Sequence, residues 1–186
     1  MNEKEIYIKI LQWLNNKKEV AIANVIETWG SSPRPVGSIM AINSDHDIIG
    51  SVSGGCVESF VFGKALEVIK NNRVETLEFG VTNSKAWEVG LTCGGKIKVF
   101  LEKISYKDID FIKKINQSYS KNETMVIATR LNDGQRDIFD DDIKTKSKHK
   151  LKINFNTIPI KNLMSSFEES FINTISFEMA EITNQN

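Results

Sequence analysis

Ten of the chain's eleven glycines lie between Gly30 and Gly95; the other is Gly134. Glycine allows positive φ and lets a ligand approach the main chain closely. These glycines gather in turns beside apolar runs: WGSSPRPVGS from Trp29, SGGC from Ser53 and TCGG from Thr92. Two of the three prolines, Pro33 and Pro35, flank Arg34 in the first turn. Three such loops in one third of a chain point to a binding site.

The apolar patterning supplies the frame. Ile6, Ile10, Trp13 and Leu14, with Tyr7 and Leu11, have helical spacing over 3–17. VAIANVIET (20–28) reads as a buried strand. Ile39–Asn43 and Ile48–Ser51 read as strands joined by the short polar turn SDHD. Val57, Phe60, Val61, Ala65, Val68 and Ile69 predict a helix from about Cys56 to Asn71. Strands follow at 76–81 and 96–102, with a loop or short helical turn at 83–92. A helix at 107–120 and a strand at 124–129 come next, then LNDGQ as a hairpin-type turn. Ile175, Phe177 and Met179 alternate and predict a closing strand. The expected class is α/β, a mixed β-sheet with flanking helices in a single domain over 1–186, without a Rossmann domain.

Composition narrows the function. The 186 residues carry 24 basic and 24 acidic side chains, a formal net charge of zero. Nucleic-acid binders need a cationic surplus, so no nucleic-acid partner is expected. Hydrophobic residues at 40% and charged residues at 26% are globular values. No apolar stretch approaches about 18 residues, so no membrane span is expected. The opening MNEKEIYIKILQWLNNKKE mixes both charge signs and does not read as a secretory signal. The expected compartment is the cytoplasm, where Cys56 and Cys93 stay reduced. Lysines at 144, 146, 148, 150 and 152, with His149 among them, read as an exposed or edge-strand face. His46 and His149 are both expected to be solvent-exposed.

In SGGCVE a strand runs into a turn that opens a helix. A helix start offers unpaired N–H groups and a positive dipole end, so it suits an anion. Cys56 in the first turn would have its thiolate favoured; the alternative is a buried structural cysteine. Cys93 is its partner by pattern, beside Gly94 and Gly95. Two cysteines 37 residues apart, with no CxxC and no paired histidine, do not make a zinc site. Arg34, held between prolines, suits capture of phosphate or a planar heterocycle; a surface arginine is the alternative. Glu58, Glu88 and Lys96 carry no separate signal. There is no GxGxxG, P-loop or GxSxG.

ETWGSSPRPVGSIMAI, GSVSGGCVESFVFGKALEVI and EFGVTNSKAWEVGLTCGGKIKVFLE resemble three successive motifs of the XdhC/CoxI family. These are accessory proteins of xanthine dehydrogenase and related molybdenum hydroxylases. The resemblance covers 21–102; the continuation over 103–186 shows no motif. It implies a chaperone that binds the molybdenum cofactor, a pterin with a dithiolene and a phosphate. It also implies help with sulfuration, alongside a cysteine desulfurase, and with insertion into the hydroxylase. The implied cofactor-binding residues are Ser32, Arg34, Ser53, Gly54, Gly55, Cys56, Cys93, Gly94 and Gly95. Cys56 and Cys93 could meet the molybdenum or carry sulfur. Longer members add a Rossmann-like domain. No glycine follows Gly134, so that domain is expected to be absent here or supplied by a separate polypeptide. A homodimer completing the cleft is a further expectation. The alternatives are a thiol-dependent sulfurtransferase using Cys56 or Cys93, and a non-catalytic scaffold for a desulfurase or dehydrogenase subunit.

Overall fold

The structure, a computed structural model, describes residues 2–32, 34–80, 95–123, 125–139 and 172–176. The chain divides into two compact units, Met1–Asn116 and Gln117–Asn186.

The first unit is built on five strands: β1 (Val20–Trp29), β2 (Ile39–Asn43), β3 (Ile48–Gly50), β4 (Glu75–Phe79) and β5 (Lys96–Ile104). Their order is β3-β2-β1-β5-β4, and every neighbouring pair is antiparallel. Alternation sorts their side chains. Ala21, Ala23, Val25, Met40, Ile42, Leu77, Phe79, Ile97, Val99 and Leu101 share one core with Val61, Ala65, Val68 and Ile69 of helix α2 (Glu58–Asn71). The other face carries Ile22 and Phe100, also buried. Helix α1 (Glu3–Asn15) buries Ile6, Tyr7, Ile10, Trp13 and Leu14, the expected stripe. Asn2 and Glu5 form a capping box at its start. Each fully buried large apolar side chain contributes about 1.5–3 kcal/mol, so both sheet faces are needed.

Two local devices shape the sheet. The β1–β5 register slips between Val25 and Glu27, so β1 carries a bulge there. Beyond it Glu27 pairs with Lys98, Thr28 with Ile97 and Trp29 with Lys96. The β2–β3 turn is organised by buried Asn43. Its Oδ1 accepts the amides of Asp45 and Asp47 at 2.9 Å each, and its Nδ2 donates to Asp47 at 2.8 Å. The expected hairpin is present, with His46 exposed at φ 72 and its ring edge-on to Phe62.

Helix α3 (Ile109–Lys121) follows a 3₁₀ turn, Tyr106–Asp108, capped by Ser105. The second unit contains β6 (Met125–Thr129), β7 (Arg136–Phe139) and β8 (Ile172–Ser176), ordered β7-β6-β8. Here pairing is mixed: β6 runs antiparallel to β7 and parallel to β8. The turn between β6 and β7 closes through Arg130 N to Gln135 O at 2.8 Å, as the LNDGQ pattern predicts. The helical turn expected at 83–92, the lysine run with His149, and Phe177 and Met179 lie outside the described residues.

Candidate functional site

Strand direction alone gathers the three glycine-rich connections. Trp29 pairs with Lys96 and Phe79 with Ile97, so β1 and β4 end where β5 begins. Gly50 at the end of β3 pairs with Met40 near the start of β2. The connections 30–38, 51–57 and 80–95 therefore all leave or return at one end of one sheet. Gly95 ties two of them tightly. A Cβ there would overlap the Ser31 carbonyl oxygen and stand 3.1 Å from that of Trp29. Only glycine fits that approach.

The SGGC turn is held by its own carboxylate. Glu58 Oε1 accepts Ser51 Oγ at 2.6 Å and the Ser53 amide at 2.9 Å. Its Oε2 accepts Ser53 Oγ at 2.5 Å and the Gly55 amide at 2.8 Å. Ser51 Oγ in turn accepts the Gly54 amide, and Ser53 Oγ accepts that of Val57. Burial pushes the Glu58 carboxyl up, but the bonds from Ser51 and Ser53 outweigh it and hold it at about 2. A carboxylate receiving several donors is stabilised in its charged form.

The turn's own network uses the donors that the anion-cradle reading assigns to a ligand. The amides of Gly54 and Gly55 already donate within the chain, and Ser53 is buried. The helix begins at Glu58 with Val57 as its N-cap, so Cys56 precedes the first turn. Gly54 and Gly55 have φ of 74° and 120°, which explains why glycine stands at both. Glu58, dismissed in the sequence, is the organising residue. Its cue was a serine pair seven and five residues upstream in a turn that lacks any other anion. Cys56 is a free, half-buried thiol packed against the α2 core.

The first loop differs in character. Ser32 Oγ donates to the Arg34 carbonyl at 2.8 Å, a local turn bond. The Arg34 side chain is exposed, with no hydrogen bond or ion pair among the described residues. Cys93 and Gly94 lie outside the described residues.

Beside these loops is a depression of about 310 Å³, lined at the strand ends from Glu27–Trp29, Glu78–Gly80 and Lys96–Lys98. None of the described residues singled out in the sequence lines it. Phe79 lines it and also meets Phe60 edge-on at 5.6 Å, which links it to the start of α2. Lys96 Nζ sits 5.7 Å from the centre of the Trp29 ring. Lys98 Nζ is 3.3 Å from both Glu27 and Glu78. By register, Glu27, Trp29, Lys96, Lys98 and Glu78 belong to the sheet face opposite α2. The loops share an end of the sheet; Cys56 packs on the α2 side, and the depression is lined there by residues of both faces.

Comparison with known proteins follows the same stretch of chain. Residues 13–80 match the XdhC and CoxI family. The XdhC/CoxI match starts ahead of the expected 21 and stops before the TCGG motif. The chain is 33% identical over 91 residues to the molybdenum cofactor insertion chaperone PaoD of Escherichia coli, covering 49% of this chain and 28% of that protein. It is 28% identical over 105 residues to a Bacillus subtilis protein described as a probable xanthine dehydrogenase subunit, covering 55% and 32% respectively. The chain thus spans under a third of the length of these two relatives. A crystal structure of a xanthine dehydrogenase from Bacillus halodurans superposes with a TM-score of 0.62 at 22% identity. That likeness covers 82% of this chain and 47% of the other, and it is one of fold. No helix among the described residues is long and apolar enough to cross a membrane.

Proposed function

We propose that this chain is an accessory protein that binds the molybdenum cofactor and assists its sulfuration and insertion into a xanthine dehydrogenase-type molybdenum hydroxylase. The observation that carries the proposal is the convergence of three glycine-rich connections at one sheet end, within and beside the XdhC/CoxI stretch. The groups available there suit such a ligand. An exposed indole offers a face to a flat ring. Arg34 and Lys96 offer cations to a phosphate, and Arg34 can do so bidentately. Cys56 offers a soft sulfur donor. The site so read comprises Ser32, Arg34, Cys56, Cys93, Gly94 and Gly95, with Ser53, Gly54 and Gly55 shaping the turn. Bound there, the cofactor would supply the molybdenum centre that the client enzyme lacks.

The chain's own contribution is to position and to shield. Glu58 fixes the turn that presents Cys56. Gly95 keeps the first and third loops in register. Within this proposal the 186 residues act as one domain in the cytoplasm, without a membrane or nucleic-acid partner. A cysteine desulfurase, a second copy of the chain and a separate Rossmann-domain polypeptide are its further partners.

Titration of the purified chain with released molybdenum cofactor tests the reading. Saturable binding that slows cofactor oxidation, weakened by Arg34→Ala, is the expected result. Absence of binding to the intact chain would overturn it. Persulfide transfer that is lost in Cys56→Ser or Cys93→Ser, without cofactor affinity, would favour the sulfurtransferase instead.

A further inference from the structure

We infer that the outer edge of β4 is an interface on which a second copy of this chain adds its own β4, antiparallel, about a two-fold axis at Leu77. This deepens the functional reading above and rests on it for the choice of partner.

The two edges of the sheet are built differently. An edge strand presents unpaired N–H and C=O groups, and natural edges are blunted by shortness, lysine, proline or a bulge. β3 is blunted by length, since it spans only Ile48–Gly50. β4 carries none of these devices. Its five residues, ETLEF, hold no lysine or proline. They pair with β5 in unbroken register from Glu75 to Phe79, and with no other strand among the described residues. Its two charges are already neutralised within the chain. Glu75 is 3.5 Å from Lys64 and 3.4 Å from Arg73, and Glu78 is 3.3 Å from Lys98. Helix α2 packs over β1, β2 and β5, so its body is set back from this edge.

The sequence of β4 then selects the occupant and the register. Under a two-fold axis, residue i meets j and j meets i. Centred on Leu77, all five residues pair: Leu77 with the partner's Leu77, Thr76 with the partner's Glu78, and Glu75 with the partner's Phe79. Leu77 and Phe79 belong to the α2 core, while Thr76 and Glu78 are exposed on the other face, so each face meets its like. On both sides of the axis a Thr76 hydroxyl can donate to a Glu78 carboxylate. Centred on Glu78, only three pairs remain, and the two Glu78 carboxylates stand directly opposite, which is destabilising. Centred on Thr76, three pairs again remain. β4 also supplies Glu78, Phe79 and Gly80 to the depression, so the partner's Thr76 would stand at its rim.

Sedimentation velocity of the full chain over a concentration series tests the interface. A monomer–dimer equilibrium is expected. Thr76→Glu sets a carboxylate against the partner's Glu78 on both sides of the axis and should weaken the dimer about tenfold. Thr76→Lys sets an ammonium there and should tighten it several-fold. Thr76 is exposed, and circular dichroism checks that the variants fold. Hydrogen exchange locates the contact: amides of β4 should slow as the dimer forms, and those of β3 should not. A monomer at every concentration, or a dimer indifferent to both Thr76 changes, would overturn the assignment. So would β4 amides already slow in the monomer, because the chain's own residues would then cover the edge. The two proposals separate. Released cofactor bound by a chain that stays monomeric removes this interface and keeps the functional reading. Cofactor that never binds the intact chain removes that reading, and the Thr76 series still decides the interface.

Discussion

Glu58 grips Ser53 twice, taking its amide at 2.9 Å through one carboxylate oxygen and its hydroxyl at 2.5 Å through the other. Ser53 is buried, so these donors have no water to fall back on. Glu58→Ala should therefore lower stability by about 1–3 kcal/mol, the usual result of leaving buried donors unsatisfied. Glu58→Gln should cost a similar amount, because its amide nitrogen donates where an acceptor is required. Urea denaturation measures both, and an unchanged midpoint would show that the turn holds without the carboxylate.

The same carboxylate makes stability depend on pH. Its folded pKa of about 2 lies below the ordinary 4.5. A depressed carboxylate contributes fully above its unfolded pKa, and the contribution fades as pH falls toward the folded one. Wild-type protein should lose stability between about pH 4.5 and about pH 2 more steeply than Glu58→Gln. Parallel slopes for the two proteins would contradict this.

Gly95 and Gly80 should respond differently to an added methyl group. At Gly95 the obstacle is the Ser31 carbonyl, which is backbone. Overpacking of that kind costs about 1–3 kcal/mol, so Gly95→Ala should show a clear fall in Tm. At Gly80 the obstacle is Lys96 Cγ, near the root of a side chain that can still turn. Gly80→Ala should lower Tm less than Gly95→Ala while weakening any ligand that uses Lys96. Calorimetry and titration on the same samples separate the two effects.

Asn43 should prove the weak point of the β2–β3 hairpin. Its buried amide accepts two main-chain N–H groups and donates to Asp47. Asn43→Ala removes all three bonds and should cost about 1–3 kcal/mol. Asn43→Asp keeps the acceptor role but sets a second carboxylate beside Asp47, so it should cost more at neutral pH than in acid. Equal denaturation midpoints for wild type and Asn43→Ala would refute the assignment.

Periodicity made the elements legible. The α1 stripe, the SDHD hairpin, the β1 run and the LNDGQ turn all appear where alternation and turn residues place them. Boundaries moved by a residue or two because caps set them. The expected helix start at Cys56 became Glu58 once the serine–carboxylate network claimed the turn. The candidate site was legible as a place more than as a set of side chains. Glycine clustering marked the sheet end where the three connections leave and return. It could not reveal Glu58, because a carboxylate three residues after Gly55 looks like ordinary helix-start composition. Nor could it reveal the Glu27–Lys98–Glu78 row, which exists only once three strands are paired. Trp29 was visible as a neighbour of the loops. Its partner Lys96 was set aside because a lysine at a strand start carries no pattern of its own.

The slip between Val25 and Glu27 is a half-period phase change in β1. If Ile26 paired in place instead of bulging, strict alternation would carry Glu27 and Trp29 through the sheet to the helix-packed side, away from Lys98 and Lys96. Which surface offers the indole is thus settled by counting residues rather than by choosing them. A β1 that paired every residue in turn would lose the aromatic wall while keeping every side chain that builds it in the polypeptide.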